Sequence, residues 1–294
     1  MILKIPSLSS QKLDLLESVV SQLSRVPGML AVVLGGSHAS GTANAGSDID
    51  LGLYYDPAQP FAIAEIRKIA ESISLDVPPT VTDFYGWGPW VNGGAWVHTA
   101  LGKVDFIYRN LDQVNRTLEE AEHGIWQHDY DQQPAYGFYS IIYLAETSVC
   151  VPLHDPQAVI AELKQRVAVY PPKLKHTVIA DTLWSAEFSL AHARSFAQQG
   201  DIYNTAGCFT RVASNLIQAL FALNEVYFIR DKKVFNVIDQ LTLRPDEYSK
   251  KVEAILAHPG SSAAELEQST FALTEVWRAV TSLPGVNYIP KFNL

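Results

Sequence analysis

The sequence predicts an α/β (α+β) front built on a short mixed sheet, followed by an all-helical bundle. Three observations predict it. Short apolar runs alternate with helical stretches up to about residue 110, helical periodicity takes over after Pro171-Pro172, and 294 residues suffice for about two ordinary domains. On this reading residues 1–150 form the first domain and residues 151–294 the second.

Each element follows from local pattern. Leu13, Leu16, Val20 and Leu23 recur at helical spacing over residues 10–25, and Pro27-Gly28 ends that helix. Residues 29–34 are a short apolar run that reads as a buried strand, and residues 49–55 read as a second. A helix is predicted over 61–74, after the turn formers Pro57 and Pro60. The stretch 78–94 is rich in glycine, proline and tryptophan. Residues 96–100 and 104–108 then form a hairpin around Leu101-Gly102-Lys103. Beyond it the spacing predicts helices near 135–148, 156–168, 173–198, 204–227, 245–257 and 262–282, the last capped by Ser261 or Ser262 with Glu265 in its first turn.

Composition narrows the function. A 48% hydrophobic and 18% charged chain is that of a globular protein with a core. No apolar run reaches the roughly 18 residues of a membrane helix, and the first ten residues lack a secretory pattern, so the expected location is cytoplasmic, with no membrane partner. Cys150 and Cys208 are too few for a disulfide framework. A net charge of -9 argues against a nucleic acid polymer as partner, because neutralising phosphates drives such binding.

The chemistry concentrates in Leu34–Tyr55. Asp48 and Asp50 are two apart on a predicted strand, so both carboxylates face one way while Ile49, Leu51 and Leu53 face the core. Two adjacent anions call for a cation between them, and Mg²⁺ (or Mn²⁺) prefers carboxylate and phosphate oxygens. Asp105 lies in the otherwise apolar strand Val104–Tyr108, where a lone acid is costly. Paired beside the first strand it would complete a three-acid, two-metal site, with Asp105 as general base. Gly35, Gly36 and Ser37 follow a strand and precede a short helix, a place where backbone N–H groups receive phosphate. Ser47 is a candidate to cap the turn before the acids or to contact phosphate.

Gly36-Ser37, ten residues, Asp48-Ile49-Asp50 and the later strand acid Asp105 together resemble the nucleotidyltransferase superfamily that includes DNA polymerase beta and kanamycin nucleotidyltransferase. The resemblance spans about residues 30–110. It implies that Gly36 and Ser37 bind a nucleoside triphosphate such as ATP, that Asp48 and Asp50 bind both metals, and that Asp105 binds the catalytic one. It also implies a cleft that receives the acceptor between the two domains. The stretches 86–94 and 104–109 are similar to an uncharacterised bacterial branch of that family. One departure is His38-Ala39-Ser40, where many relatives carry an arginine or lysine.

The competing motifs fail on detail. Thr42 stands where a P-loop needs lysine, the residues around Asp48 are too apolar for an EF-hand, and Cys150 with His154 is too small a set for zinc. Trp87, Trp90 and Trp96 are candidates to stack on a base or an aromatic acceptor, against core filler as the plain alternative. Arg211, Lys232 and Lys233 are candidate phosphate cations, His38 a phosphate contact or a surface residue, and His98 a half-buried strand residue. Glu187 and Glu225 read as solvated helix positions or acceptor contacts. The expected activity is transfer of a nucleoside monophosphate to a small-molecule acceptor such as an aminoglycoside-like antibiotic. Adenylylation of a partner protein, a glycosyltransferase using Asp-x-Asp, and a non-catalytic nucleotide-binding module are the alternatives.

Overall fold

A computed structural model describes residues 5–44 and 46–294. The chain divides into two units. The first runs to Glu119 and resumes over Gln127–Val169, and the second holds Glu120–Trp126 and Tyr170–Leu294. The first unit thus continues past residue 150 to Val169. The physical reason is a strand that sequence reading missed, β8 (Val151–His154), which pairs with β1 and keeps the following helix in the first unit. Its Pro152 hid it, yet proline is tolerated because β8 lies at the sheet edge.

The first unit opens with α1 (Ser10–Leu23), capped by the Ser9 hydroxyl, which accepts from the Lys12 amide. It continues through β1 (Met29–Leu34), the single turn α2 (Gly36–Ala39), β2 (Ile49–Tyr55) and α3 (Ile63–Ile73). Then come β3 (Thr80–Val81), β4 (Gly94–Thr99), β5 (Gly102–Asn110) and α4 (Leu111–Glu122). The hairpin β6 (His128–Asp129) and β7 (Phe138–Tyr139) leads into α5 (Ile141–Val149), β8 and α6 (Val159–Arg166). The helix expected near 135–148 thus begins only at Ile141. The six-stranded sheet has the order β3-β4-β5-β2-β1-β8. β2 and β5 run parallel, and the neighbouring pairs are antiparallel.

Alternation decides what each face does. Ile49, Leu51 and Leu53 of β2 and Val104, Phe106 and Tyr108 of β5 face a core closed by Leu16, Val20 and Leu23 of α1 and Ile66 and Ala70 of α3. The other face carries Asp50 and Tyr54 from β2, Asp105 and Arg109 from β5, and Trp96 and His98 from β4. Tyr54 and Arg109 are buried, whereas Asp50 and Asp105 are only half-buried, so this face is covered at one end and open at the acidic one.

The second unit is helical. Its main elements are α7 (Pro172–Gln198), α8 (Ile202–Leu223), the short α9 (Val234–Ile238), α10 (Tyr248–Ala257) and α11 (Ala263–Thr281). α11 starts as expected: the Ser262 hydroxyl accepts from the Glu265 amide, and the Glu265 carboxylate accepts from the Ser261 amide. Among the described residues α8 alone is long and apolar enough to cross a membrane, and 67% of that stretch is buried inside the protein, as in a core helix.

Candidate active site

The parallel pairing of β2 with β5 sets Asp50 directly opposite Asp105, on the open face. Asp48 precedes β2 by one residue and shares the parity of Asp50. The chain leaving β1 closes this end, since the Gly35 amide donates to the Asp50 carbonyl at 2.8 Å. Gly36 follows with φ +58, in the left-handed region that favours glycine. A Cβ there would lie 1.7 Å from Asp50 Oδ2, so the acid and the turn occupy adjoining space that only glycine leaves open.

Asp105 is a strongly perturbed acid on this face. Its Oδ1 is buried with no hydrogen-bond partner among the described residues. Burial first, and the charge of Asp48 second, push its pKa up to about 6, against weaker opposing effects of Lys103 and His98. Among the described residues no three His, Cys, Asp or Glu side chains are gathered closely enough to hold an ion in this conformation. The chemistry nonetheless fits a divalent cation. The donors are hard carboxylate oxygens on adjacent strands, and the orphaned Oδ1 lacks just the positive partner that an ion supplies.

Around this face the predicted residues divide. Ser37 is half-buried within α2. The Ser47 hydroxyl accepts from the Asn44 amide at 2.9 Å, which ties the turn before the acids. His38 is not a surface residue. It is 6% exposed, its Nδ1 lies 2.8 Å from Ser7 Oγ, and burial lowers its pKa, which favours the neutral ring. The cation missing after Ser37 has a neighbour that sequence reading overlooked. Lys12 of α1 donates from Nζ to the Ser47 carbonyl at 3.3 Å, and lies 3.8 Å from where a Cβ on Gly102 would be. The one signal for it was its place on α1, one position before the inward-facing Leu13.

The tryptophan-rich segment is irregular yet tightly held. Gln132 donates to the Trp87 carbonyl and accepts from the Trp90 amide, both at 2.8 Å. Gln113 donates to the Pro89 carbonyl at 2.7 Å, and Arg109 Nη1 to the Val91 carbonyl at 3.1 Å. Trp90 is packing material, stacked on Phe138 and edge-on to Tyr143. Trp87 and Trp96 stack on each other with centroids 4.7 Å apart, and Trp96 pairs with Asp105 across β4 and β5. His98, expected to be half-buried, is exposed two residues further along the same face.

In the second unit Arg211, Lys232 and Lys233 are exposed. Glu187 is 1% exposed and is not solvated. It accepts from the Tyr288 hydroxyl at 2.5 Å and from the amides of Lys291 and Phe292, fastening the chain after α11 to α7. Glu225 lies past the end of α8 with φ +57 and pairs with Lys175 at 2.8 Å.

Two family models match the chain. Residues 14–85 match the nucleotidyltransferase domain, and residues 142–232 match a domain of unknown function (DUF4037). No curated protein matches it. Among solved structures it is similar to a nucleotidyltransferase-like protein from Exiguobacterium sibiricum 255-15, at 8% identity over 90% of this chain and 77% of that one, with a TM-score of 0.47. It is also similar to an aminoglycoside 6-adenyltransferase from Bacillus subtilis, at 8% identity over 93% and 91% of the two chains, with a TM-score of 0.32. The segment that matches the nucleotidyltransferase domain begins within α1 and holds β1, the Gly36 turn and the Asp48/Asp50 pair.

Proposed function

We propose that the protein transfers a nucleoside monophosphate from a nucleoside triphosphate, most simply ATP, to a hydroxyl of a small-molecule acceptor, releasing pyrophosphate. The supporting observation is Asp105, with its orphaned buried oxygen, in register with Asp50 at the sheet end where the Gly36 turn lies. The acceptor oxygen attacks the α-phosphorus, the bond from that phosphorus to the bridging oxygen breaks, and the β- and γ-phosphates leave as pyrophosphate. Asp105 takes the hydroxyl proton. Asp48, Asp50 and Asp105 would hold Mg²⁺ or Mn²⁺, which neutralises developing charge on the phosphates when bound. The Gly35 to Ser37 backbone receives phosphate oxygens, and Lys12 supplies the nearby charge that neutral His38 does not.

Calorimetric titration with a non-hydrolysable ATP analogue tests this, with Mg²⁺, with Mn²⁺ and with chelator. Metal-dependent binding that Asp48→Asn removes is expected. A protein that binds no triphosphate with either metal ends the reading.

Two variants probe the phosphate side. Gly36→Ala forces a side chain into a left-handed position and into Asp50, so kcat/KM for the triphosphate should fall by about 10- to 100-fold with the fold intact by circular dichroism. Lys12→Ala should weaken triphosphate binding about tenfold, with Lys12→Arg close to wild type. Equal affinity in Lys12→Ala would remove Lys12 from the phosphate site.

A further inference from the structure

The acidic face has two sides. From the β1 side inward, the strand order gives the Gly36 turn, Asp50 on β2, Asp105 on β5 and Trp96 on β4. Phosphate chemistry belongs to the glycine side, so what lies beyond Asp105 borders the acceptor. There the chain has built an aromatic surface. Trp87 covers one face of the Trp96 indole, 22° from parallel, and Trp96 is still 51% exposed, which leaves its other face open. A Cβ on Gly94 would come within 2.7 Å of Trp87, so glycine clears the place where that ring lies against β4. The hydrogen bonds of Gln132, Gln113 and Arg109 hold the loop behind it.

Charge selects what that surface receives. His98 and Lys103 pair across the same two strands, two residues from Trp96 and Asp105 and on the same face. That is about 7 Å along the strand. Both are exposed; Lys103 brings an ammonium to this face beside Asp105, and the His98 imidazole offers an N–H donor. With the acids satisfied by metal ions, the charge left on the acceptor side is positive. A polycation such as an aminoglycoside meets repulsion there, and an anion meets attraction.

We propose that the acceptor is a hydroxyl-bearing aromatic ring with an anionic group. The ring stacks on the open face of Trp96, its hydroxyl reaches Asp105, and its carboxylate or phosphate lies against Lys103 and His98. This assignment rests on the transfer reaction proposed above and names the class of its acceptor. The reacting hydroxyl gives its proton to Asp105 and its oxygen to the α-phosphorus, with pyrophosphate as leaving group.

The test is saturation-transfer NMR and calorimetry on the full chain with three probes: 4-hydroxyphenylacetate, its neutral analogue tyrosol, and kanamycin. The expected order is 4-hydroxyphenylacetate tightest, tyrosol about tenfold weaker, and no kanamycin binding at this site. Trp96→Ala should weaken 4-hydroxyphenylacetate about tenfold, with partial recovery in Trp96→Phe. Lys103→Gln should bring 4-hydroxyphenylacetate down to the affinity of tyrosol. Triphosphate binding should be unchanged in all three variants. No binding of 4-hydroxyphenylacetate, binding that ignores Trp96, a preference for kanamycin, or loss of triphosphate binding in Trp96→Ala would each overturn the assignment. Trp96- and Lys103-dependent binding without pyrophosphate release from Mg-ATP would leave the site standing and sink the transfer reaction instead.

Discussion

Asp105→Asn is expected to abolish turnover and at the same time to stabilise the protein at neutral pH. The loss of turnover follows from removing a charged ligand and base together, and should reach at least about 1,000-fold in kcat. The gain in stability follows from the direction of the pKa shift. Asp105 rises from 3.8 to about 6 in the folded protein, so the folded state holds this proton more tightly than the unfolded chain does. Below about pH 4 the carboxyl is protonated in both states and costs nothing. Between about pH 4 and 6 the penalty for ionising it in the folded state grows, and above about 6 the penalty is complete. The group is half-exposed, so solvent screening reduces the penalty to about 1–2 kcal/mol. Asp105→Asn should therefore melt about 2–4 °C above wild type at pH 8 and level with it near pH 4. Millimolar Mg²⁺ should close much of the gap at pH 8 by stabilising only the wild type. In turnover, kcat should fall as pH drops toward 6, because the protonated acid neither binds a cation nor accepts a proton. A variant with wild-type turnover, or a melting difference that does not change with pH, would remove Asp105 from the site.

The parts of this site that were legible in the sequence are those where chemistry conflicts with environment. An acid inside Val104–Tyr108 and two acids flanking Ile49 are costly unless used; the β2 and β5 alternation puts Asp50 and Asp105 on the face away from the core, with Asp48 one residue before β2. The strands read correctly where apolar residues were continuous, as in β1 and β2. They failed where pairing rather than composition makes the strand. β3 is two residues long, and β8 contains Pro152, so neither has a pattern of its own. α4 escaped as a separate element, although the Asn110 side chain accepts from the amides of Asp112 and Gln113 at its start. Lys12 and the Trp87–Trp96 stack were illegible for another reason. Each depends on which residue from a distant segment lies beside it, and a helix lysine or a loop tryptophan looks the same whether it faces a site or solvent. Glu187 shows the opposite error: a glutamate in a helix pattern reads as solvated, whereas three donors from the chain after α11 make its burial affordable.

Arg109→Met should be the most destabilising single change outside the apolar core. Arg109 is 5% exposed and forms a two-pronged bond to Glu146, Nε to Oε2 at 2.9 Å and Nη2 to Oε1 at 2.8 Å. Its remaining Nη1 donates to the carbonyls of Val91 and Tyr108, and its guanidinium lies 5.3 Å from the Tyr143 ring. One side chain thus joins β5, α5 and the tryptophan loop. Burial opposes its charge, and the facing carboxylate holds it protonated. Removing the arginine alone leaves Glu146, about one-third exposed, and the Val91 carbonyl without their donor, so the cost should be about 3–5 kcal/mol by urea denaturation. The double variant Arg109→Met/Glu146→Leu should recover a large part of that, because the penalty comes from the stranded charge more than from the lost pair. The loop should respond as well, since Val91 lies four residues from Trp87. The exciton signal of the Trp87–Trp96 stack in circular dichroism should weaken in both variants, even where stability returns. A single variant costing under about 1 kcal/mol, or a double variant no better than the single, would mean that packing rather than the buried charge holds this junction together.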